Sequence, residues 1–225
     1  MLAAVAEERP DEIWCLGDLV GYGPQPNACA RLVAERAELC LVGNHDLGVL
    51  GRIDLEEFSP DAAAVARWTQ QILEDGPRAF MEALEASSAR AGIGLYHASP
   101  RDPVWEYVLS AEVAVASMHA APEPTVLVGH SHVALAFALA GDRVLGGLAP
   151  AGTELDLGEA DHWILNPGSV GQPRDGDPDA AFVVLDLDAR RAVFRRVHYA
   201  VERTQEEMRE RDLPATLAER LEHGL

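Results

Sequence analysis

Several residue types that mark particular protein classes are scarce or missing from this chain of 225 residues. It contains no Lys, so all 18 basic residues are Arg. In so alanine-rich a sequence this indicates the coding bias of a GC-rich genome more than a functional choice. Only three cysteines are present, at Cys15, Cys29 and Cys40. They are too far apart for a Cys-x-x-Cys motif, and their odd number and the absence of a secretion signal argue against a disulfide framework. We therefore expect small buried residues in a reducing cytosol.

Long apolar runs are absent as well. No stretch approaches the length that is needed to span a bilayer. The apolar run Met1–Ala6 is short, has no basic residues before it and leads directly into Glu7 and Glu8, which is unlike a signal peptide. We therefore expect a cytoplasmic protein.

Basic residues are few relative to acidic ones. The chain has 37 acidic residues against 18 basic ones, which gives a formal net charge of −19 and a pI near 4.7. Such a surface repels nucleic acid and anionic membranes, so neither is an expected partner. A small phosphorylated substrate remains compatible with this charge if bound metal cations locally invert the field.

The residues that are present predict a globular α/β protein, because 48% of them are hydrophobic and two periodicities alternate in the first half. Helical segments separate four short apolar runs that end beside Gly or His, at residues 12–16, 39–42, 93–96 and 125–128. After Val133 strands follow one another without helices, which predicts antiparallel meanders joining a second sheet. Residues 201–225 are predicted to form a polar helical tail.

Metal-binding side chains stand where these predicted strands end. Asp18, Asn44, His97 and His130 each follow one of the four runs, and His132 lies two residues beyond His130. Because ligands gather at the carboxyl ends of the strands in an open α/β sheet, we expect these side chains to meet in one crevice. Taken singly, Gly17-Asp18 is more typical of a turn and His97 of a buried core histidine, whereas Asn44–Asp46 is equally compatible with a helix cap. The ordered set predicts a metal site.

This ordered set resembles the calcineurin-like metallophosphoesterases, and most closely their small single-domain branch from bacteria and archaea. The resemblance rests on Gly17-Asp18, Gly43–Asp46, His97, Gly129–His132 and the loop Asn166–Arg174. It implies one domain over residues 1–225, built as a four-layer α/β/β/α sandwich of two mixed sheets. It also implies a hydrolase of phosphate esters, with phosphodiesters favoured, that uses a metal-activated hydroxide at a dinuclear site.

The resemblance also assigns roles to the ligands. Asp18 would bridge two cations, Asn44, His97 and His130 would complete the shell of the second, and His132 would reach the first. The expected metals are divalent Mn, Fe, Zn or Ni, because mixed imidazole and oxygen ligands suit such metals better than Ca.

Four further residues receive predicted roles. The resemblance implies that His45 is catalytic, by stabilising the transition state or protonating the leaving group, with Asp46 orienting its ring. Arg174 would grip a phosphate oxygen and Tyr22 would line the substrate site. For Arg174 a surface role, and for Tyr22 a packed position in a turn, remain alternatives.

One motif of the family is missing. An N-terminal strand that ends in Asp-x-His, and supplies two ligands of the first cation, does not occur in this sequence, so that site is expected to be incomplete. One explanation is that the sequence begins at an internal methionine. The alternative is a catalytically impaired or non-catalytic binding protein on the same fold. A homo-oligomer also stays open, because the late strands could present an edge to a second copy.

Overall fold

A six-stranded mixed sheet forms the centre of the computed structural model, which describes all residues from Met1 to Leu225. Its strands are β3 Ser87–Arg90, β4 Ile93–Tyr96, β5 Thr125–Val128, β6 Ala134–Ala140, β7 Arg143–Leu148 and β9 His162–Pro167. They lie in the order β3-β4-β5-β9-β6-β7. Strands β4, β5 and β9 run parallel to one another, whereas β3, β6 and β7 pair in the antiparallel sense.

Two smaller sheets cover one face of this central sheet. The first pairs β1 (Trp14–Cys15) in parallel with β2 (Leu39–Cys40). The second is antiparallel, with the order β10-β11-β8, and consists of β8 Glu154–Asp156, β10 Ala180–Asp186 and β11 Arg191–Val197. Both contribute to the core cluster between the sheets, in which Leu95, Leu127 and Leu165 of the central sheet pack with Leu41 and Phe194.

Helices cover the outer surfaces. Their bounds are α1 Leu2–Glu7, α2 Pro26–Arg36, α3 Asn44–Val49, α4 Pro60–Ile72, α5 Asp75–Glu82, α6 Ala111–Ala120, α7 Val201–Glu210 and α8 Ala215–Glu219. Met118 of α6 packs on Val128 and Phe137 on the outer face of the central sheet. Met208 of α7 and Leu217 of α8 pack on Val65 of α4. None of these helices is both long and apolar enough to cross a bilayer.

The predicted α/β class, with mixed sheets and helices, is confirmed. The prediction that all late strands join a second sheet is wrong in part, because β6, β7 and β9 extend the central sheet instead. Two elements were missed. Strand β3 is exposed at every residue and lacks an apolar pattern, and α3 starts at Asn44, which was assigned only as a ligand. Both depend on neighbours that a local pattern does not reveal.

Candidate metal centre

The ends of the four strands converge as expected, and the metal-capable side chains meet in the interior. Asp18 follows β1, Asn44 begins α3 after β2, and His97 follows β4. His130 and His132 follow β5. The ligating atoms of Asp18, His97 and His130 all lie within 4.8 Å of one another. The Asp18 side chain is only 6% exposed and the other four residues are buried, so the cluster is shielded from bulk water.

His97 directs one ring nitrogen into this cluster. Its Nδ1 lies 2.7 Å from the carbonyl oxygen of Leu16, and since a carbonyl can only accept, Nδ1 carries the proton. In the tautomer that carries its single ring proton on Nδ1, Nε2 bears a lone pair. It lies 3.2 Å from Oδ1 of Asn44 and 3.6 Å from Oδ1 of Asp18. Three electron-rich atoms thus face one another without a proton between them.

His130 and His132 repeat this arrangement. Nε2 of His130 lies 3.2 Å from the carbonyl oxygen of Trp105, and Nδ1 of His132 lies 2.8 Å from that of Gln172. The other nitrogen of each ring is left as an acceptor. For His132 that atom, Nε2, lies 3.9 Å from Oδ2 of Asp18, which is buried and has no hydrogen-bond partner.

The donor set fits divalent cations. Neutral imidazoles, a carboxylate and an amide oxygen are ligands for borderline metals such as Mn, Fe and Zn. Acceptor atoms that crowd together in a buried space repel one another unless a cation lies among them. Backbone carbonyls that fix the second nitrogen of each ring are typical of metal-bound histidines. Sequence reasoning missed these carbonyls, because the oxygens belong to residues of any side-chain type.

The backbone at three of these positions is strained. Asp18, His130 and His132 have φ angles of 55°, 58° and 59°, in the left-handed region that non-glycine residues avoid. Such conformations cost roughly 1–3 kcal/mol each and cluster at functional sites. Asn166, which was predicted only as part of a loop, stabilises the turn: its Nδ2 donates to the carbonyl oxygen of Gly129 at 2.6 Å and to Oγ of Ser131 at 3.0 Å.

The electrostatics of the cluster favour an ionised Asp18 and neutral His130 and His132. Burial opposes the charge of Asp18, but His97, His45 and His132 outweigh burial and hold the pKa of Asp18 well below its usual range. Burial lowers the pKa of His130 to about 4 and also lowers the pKa of His132. At neutral pH His130 and His132 are therefore free to act as ligands.

His45 lies beside the cluster and is not one of the converging ligands. Its backbone N–H donates to Oδ1 of Asp18 at 3.0 Å, while its ring is held between Tyr22 and Phe58, at centroid distances of 3.9 Å and 5.0 Å. Nδ1 of the ring is buried without a hydrogen-bond partner. Burial lowers the pKa of His45 to about 4. The ring is thus fixed by packing and keeps a free polar atom.

Asp46 does not orient the His45 ring, so that part of the sequence interpretation is wrong. Its two carboxylate oxygens accept backbone N–H groups, from Val20 at 3.1 Å and from Gly43 at 2.9 Å. These bonds cap the first turn of α3 and tie it to the segment that carries Asp18. Asp46 therefore holds the positions of Asn44 and Asp18 relative to each other.

Arg174 and Tyr22 meet at the edge of the cluster, although 152 residues separate them in the chain. Nη2 of Arg174 donates to the Tyr22 hydroxyl at 2.8 Å and to Oε1 of Gln172 at 3.1 Å. Nε of Arg174 is buried and unpartnered. Although burial opposes its charge, the tyrosines Tyr22 and Tyr107 raise the pKa of Arg174, so the guanidinium stays charged. No acidic side chain pairs with it, which leaves it available to an anion.

Aromatic side chains complete the outer edge. Tyr107 stacks on the ring of His130 at a centroid distance of 4.1 Å and an interplanar angle of 15°. Trp105 contacts both His130 and Phe58 edge to face. Tyr107 is 45% exposed, so one of its faces is open to solvent. The sequence offered no signal for these residues beyond their position in a loop after His97.

The fold and the cluster together define an α/β protein of mixed sheets with a candidate site for divalent metal. The family model of the calcineurin-like phosphoesterase superfamily domain matches residues 1–190 of the chain. The chain therefore belongs to the calcineurin-like phosphoesterase superfamily, whose members bind divalent metals. The resemblance inferred from the sequence is confirmed.

Individual relatives agree with this assignment. The chain is 39% identical to a metallophosphoesterase from Sphaerobacter thermophilus, with a TM-score of 0.88 over 100% of this chain and 93% of that one. It is 33% identical to the uncharacterised protein MJ0912 of Methanocaldococcus jannaschii over 215 residues, or 93% of this chain and 85% of the relative. The hypothetical protein PH1004 of Pyrococcus horikoshii shares the fold, with 18% identity, a TM-score of 0.74 and coverage of 100% of this chain and 91% of its own.

Proposed function

We propose that the chain is a metal-dependent hydrolase of phosphate esters, with phosphodiesters as its substrates. The observation that carries this proposal is the convergence of the lone-pair atoms of His97, Asn44 and Asp18 on one buried point, beside an arginine that lacks an acidic partner. The sequence identity of 39% to a metallophosphoesterase supports the same reaction class. The proposed substrate is small, because the net charge of −19 disfavours nucleic acid.

The proposed ligands divide around Asp18. His97, with Asn44 beside it, lies on the side of Oδ1, and His132 lies on the side of Oδ2. His130 offers a further nitrogen within 4.8 Å of the ligand atoms of Asp18 and His97. A carboxylate with ligands on both oxygens can serve two cations. Divalent cations such as Mn, when bound, supply Lewis acidity toward a phosphate oxygen and a water molecule.

Side chains of the protein would bind the substrate and stabilise or protonate the leaving group. Arg174, fixed by Tyr22 and Gln172, would bind a nonbridging phosphate oxygen and orient the ester, since a guanidinium matches the geometry of a phosphate. His45 would stabilise negative charge as it develops or donate a proton to the leaving oxygen. The packing of its ring between Tyr22 and Phe58 would hold that proton in one direction. The buried cluster would limit the access of bulk water.

The test is hydrolysis of bis-p-nitrophenyl phosphate and p-nitrophenyl phosphate with added Mn²⁺, compared with the chelated protein and with the Asp18→Asn variant. We expect turnover that depends on Mn²⁺ and is faster on the diester. Exposed Asp142, changed to Asn, is the matched control and should leave the rate unchanged. An absence of turnover on both esters, together with an absence of bound Mn²⁺, contradicts the proposal.

A non-catalytic binding role on the same fold is the rival candidate, and the family assignment does not favour it. It predicts that Asn44, His97 and His130 hold one cation and that no ester is hydrolysed. Counting bound Mn²⁺ per chain in the same sample that is assayed for turnover separates the two candidates.

A further inference from the structure

Two of the three cysteines lie side by side on the strands that lead into the candidate metal centre. Cys15 of β1 and Cys40 of β2 are direct partners in the parallel pairing, although 25 residues separate them. Neighbouring strands lie about 4.8 Å apart. That separation falls within the range of roughly 4.4–6.8 Å between the Cα atoms of a disulfide.

The side chains of the pair also face each other. Directly registered residues of adjacent parallel strands project from the same face, and the two thiol groups interact with each other. Both cysteines are free and half-buried. The third cysteine, Cys29, lies exposed on α2 and takes no part in this pairing.

The position of the pair connects it to the centre. Cys15 precedes Asp18 by three residues, and Cys40 precedes Asn44 by four. The residue between Cys15 and Gly17 is Leu16, whose carbonyl oxygen accepts the Nδ1 proton of His97. A change in the spacing of β1 and β2 would therefore displace the residues that are proposed to bind the cation.

We propose that Cys15 and Cys40 form an oxidisable dithiol, which a peroxide converts to a disulfide that shifts Asp18 relative to Asn44. In the first step the thiolate of Cys15 attacks one oxygen of the peroxide, the O–O bond breaks, and water leaves after protonation. The thiol of Cys40 then attacks the resulting sulfenic sulfur, the S–S bond forms, the S–O bond breaks, and a second water leaves. Sulfur is oxidised by two electrons in total and the peroxide is reduced by two.

The structural consequence follows from bond length. A disulfide holds its sulfur atoms about 2.05 Å apart, which is closer than two unbonded sulfur atoms can approach. Since the Cα atoms of a disulfide are most often about 5.5–6 Å apart, against about 4.8 Å between paired strands, bond formation changes the spacing of β1 and β2 at the level of the pair. The coupling to metal affinity rests on the proposed function, whereas formation of the disulfide does not.

The experiment uses the 225-residue chain with Cys29→Ser as its background. This substitution is needed because trypsin leaves Cys15 and Cys29 on one peptide: no Lys occurs in the chain and no Arg lies between them. The protein is treated with hydrogen peroxide, its remaining thiols are alkylated, and the tryptic peptides are analysed by mass spectrometry. Cys15→Ser and Cys40→Ser in the same background are the controls, and Mn²⁺ affinity is measured before oxidation, after it, and after dithiothreitol.

We expect an intramolecular peptide link between Cys15 and Cys40, reversal by dithiothreitol, and about a tenfold weaker Mn²⁺ affinity of the oxidised chain, as for changes to groups that support metal ligands. Neither serine variant should form the link or lose affinity. Two alkylated thiols after peroxide, or separate sulfinic acids, overturn the dithiol. A link with unchanged Mn²⁺ affinity overturns its coupling to the centre. If the reduced chain binds no Mn²⁺, the proposed function fails. The peptide link still shows whether Cys15 and Cys40 form a disulfide.

Discussion

Nε2 of His97 lies 3.2 Å from Oδ1 of Asn44, and neither atom has a proton to offer the other. Nδ1–H of the imidazole donates to the Leu16 carbonyl oxygen, and the amide oxygen of Asn44 is an acceptor only. Two acceptors at hydrogen-bonding distance repel each other in a buried space, where the interaction is poorly screened. A cation between them turns this repulsion into attraction, and the following predictions depend on that relationship.

Metal binding should stabilise the fold. At a free Mn²⁺ concentration of one hundred times Kd, the expected gain in the free energy of unfolding is about 2.7 kcal/mol. For a chain of this length that gain corresponds to a rise in Tm of about 5–10 °C. Differential scanning fluorimetry with Mn²⁺, Ca²⁺ and chelator measures the shift. Ca²⁺ should raise Tm less, because imidazole suits Mn²⁺ better. An equal rise in the Asp18→Asn variant would show that the ion binds elsewhere.

Gly43→Ala should abolish metal binding while the protein still folds. A Cβ at Gly43 would meet the Asp18 carboxylate and lie 2.6 Å from Cε1 of His97, so both ligands would have to move. Isothermal titration with Mn²⁺ measures the loss. Gly76→Ala in α5 is the matched control, since its Cβ meets no atom within 4 Å and alanine favours a helix. Unchanged affinity in the Gly43 variant would place the cation away from these two side chains.

His45→Ala should separate turnover from metal binding. The ring of His45 packs on Tyr22 and Phe58 and contributes no converging ligand atom, so the Mn²⁺ stoichiometry should be retained. The kcat for a phosphodiester should fall by about a hundredfold or more, as for the loss of a positioned acid. His119→Ala, on the exposed surface of α6, should change neither quantity. Simultaneous loss of the metal would assign His45 to the ligand set.

Arg174 and Tyr22 should act as a unit on the substrate. Arg174→Lys keeps the charge but removes the planar guanidinium, whose N–H groups can bind two oxygens of a phosphate at once. We expect kcat/KM to fall by about ten- to a hundredfold. Tyr22→Phe removes the hydroxyl that accepts from Arg174 and should cause a smaller loss. In a double-mutant cycle the combined loss should be less than the sum of the single losses. Arg209→Lys, exposed on α7, is the control; strictly additive effects would show that Tyr22 does not position Arg174.

The loop that carries Arg174 should owe its stability to a buried ion pair. Asp175 pairs with Arg196 of β11, with side chains only 5% and 7% exposed, and also accepts the backbone N–H of Ala134 at 2.9 Å. Asp175→Ala would leave the buried guanidinium with only the more exposed Asp177 carboxylate, 3.8 Å away, and backbone carbonyls as partners. The free energy of unfolding should therefore fall by about 3 kcal/mol.

Urea denaturation with a constant m-value measures this loss. Glu154→Ala removes an exposed partner of Arg191 instead, and such pairs contribute about 1 kcal/mol or less. Equal effects of the two substitutions would argue that the Asp175 pair is solvated.

The sequence by itself determined the family, the α/β class and the residues that converge. Burial periodicity is a local property, so the runs before Asp18, Asn44, His97 and His130 could be identified as strands from their own composition. Since parallel strands bring their carboxyl ends to one edge, the order of these residues implied their meeting. The same reasoning missed β3, whose exposed residues carry no apolar pattern.

Only the tertiary structure decided which atom of each side chain faces the centre. The proton of His97 is fixed by the Leu16 carbonyl, 81 residues earlier, and that of His132 by the Gln172 carbonyl, 40 residues later. The carboxylate of Asp46 was expected to orient His45 but is occupied by two backbone N–H groups. Backbone donors and acceptors are the same in every residue type, so no sequence pattern encodes these partners. Their positions are set by how the strands and loops pack.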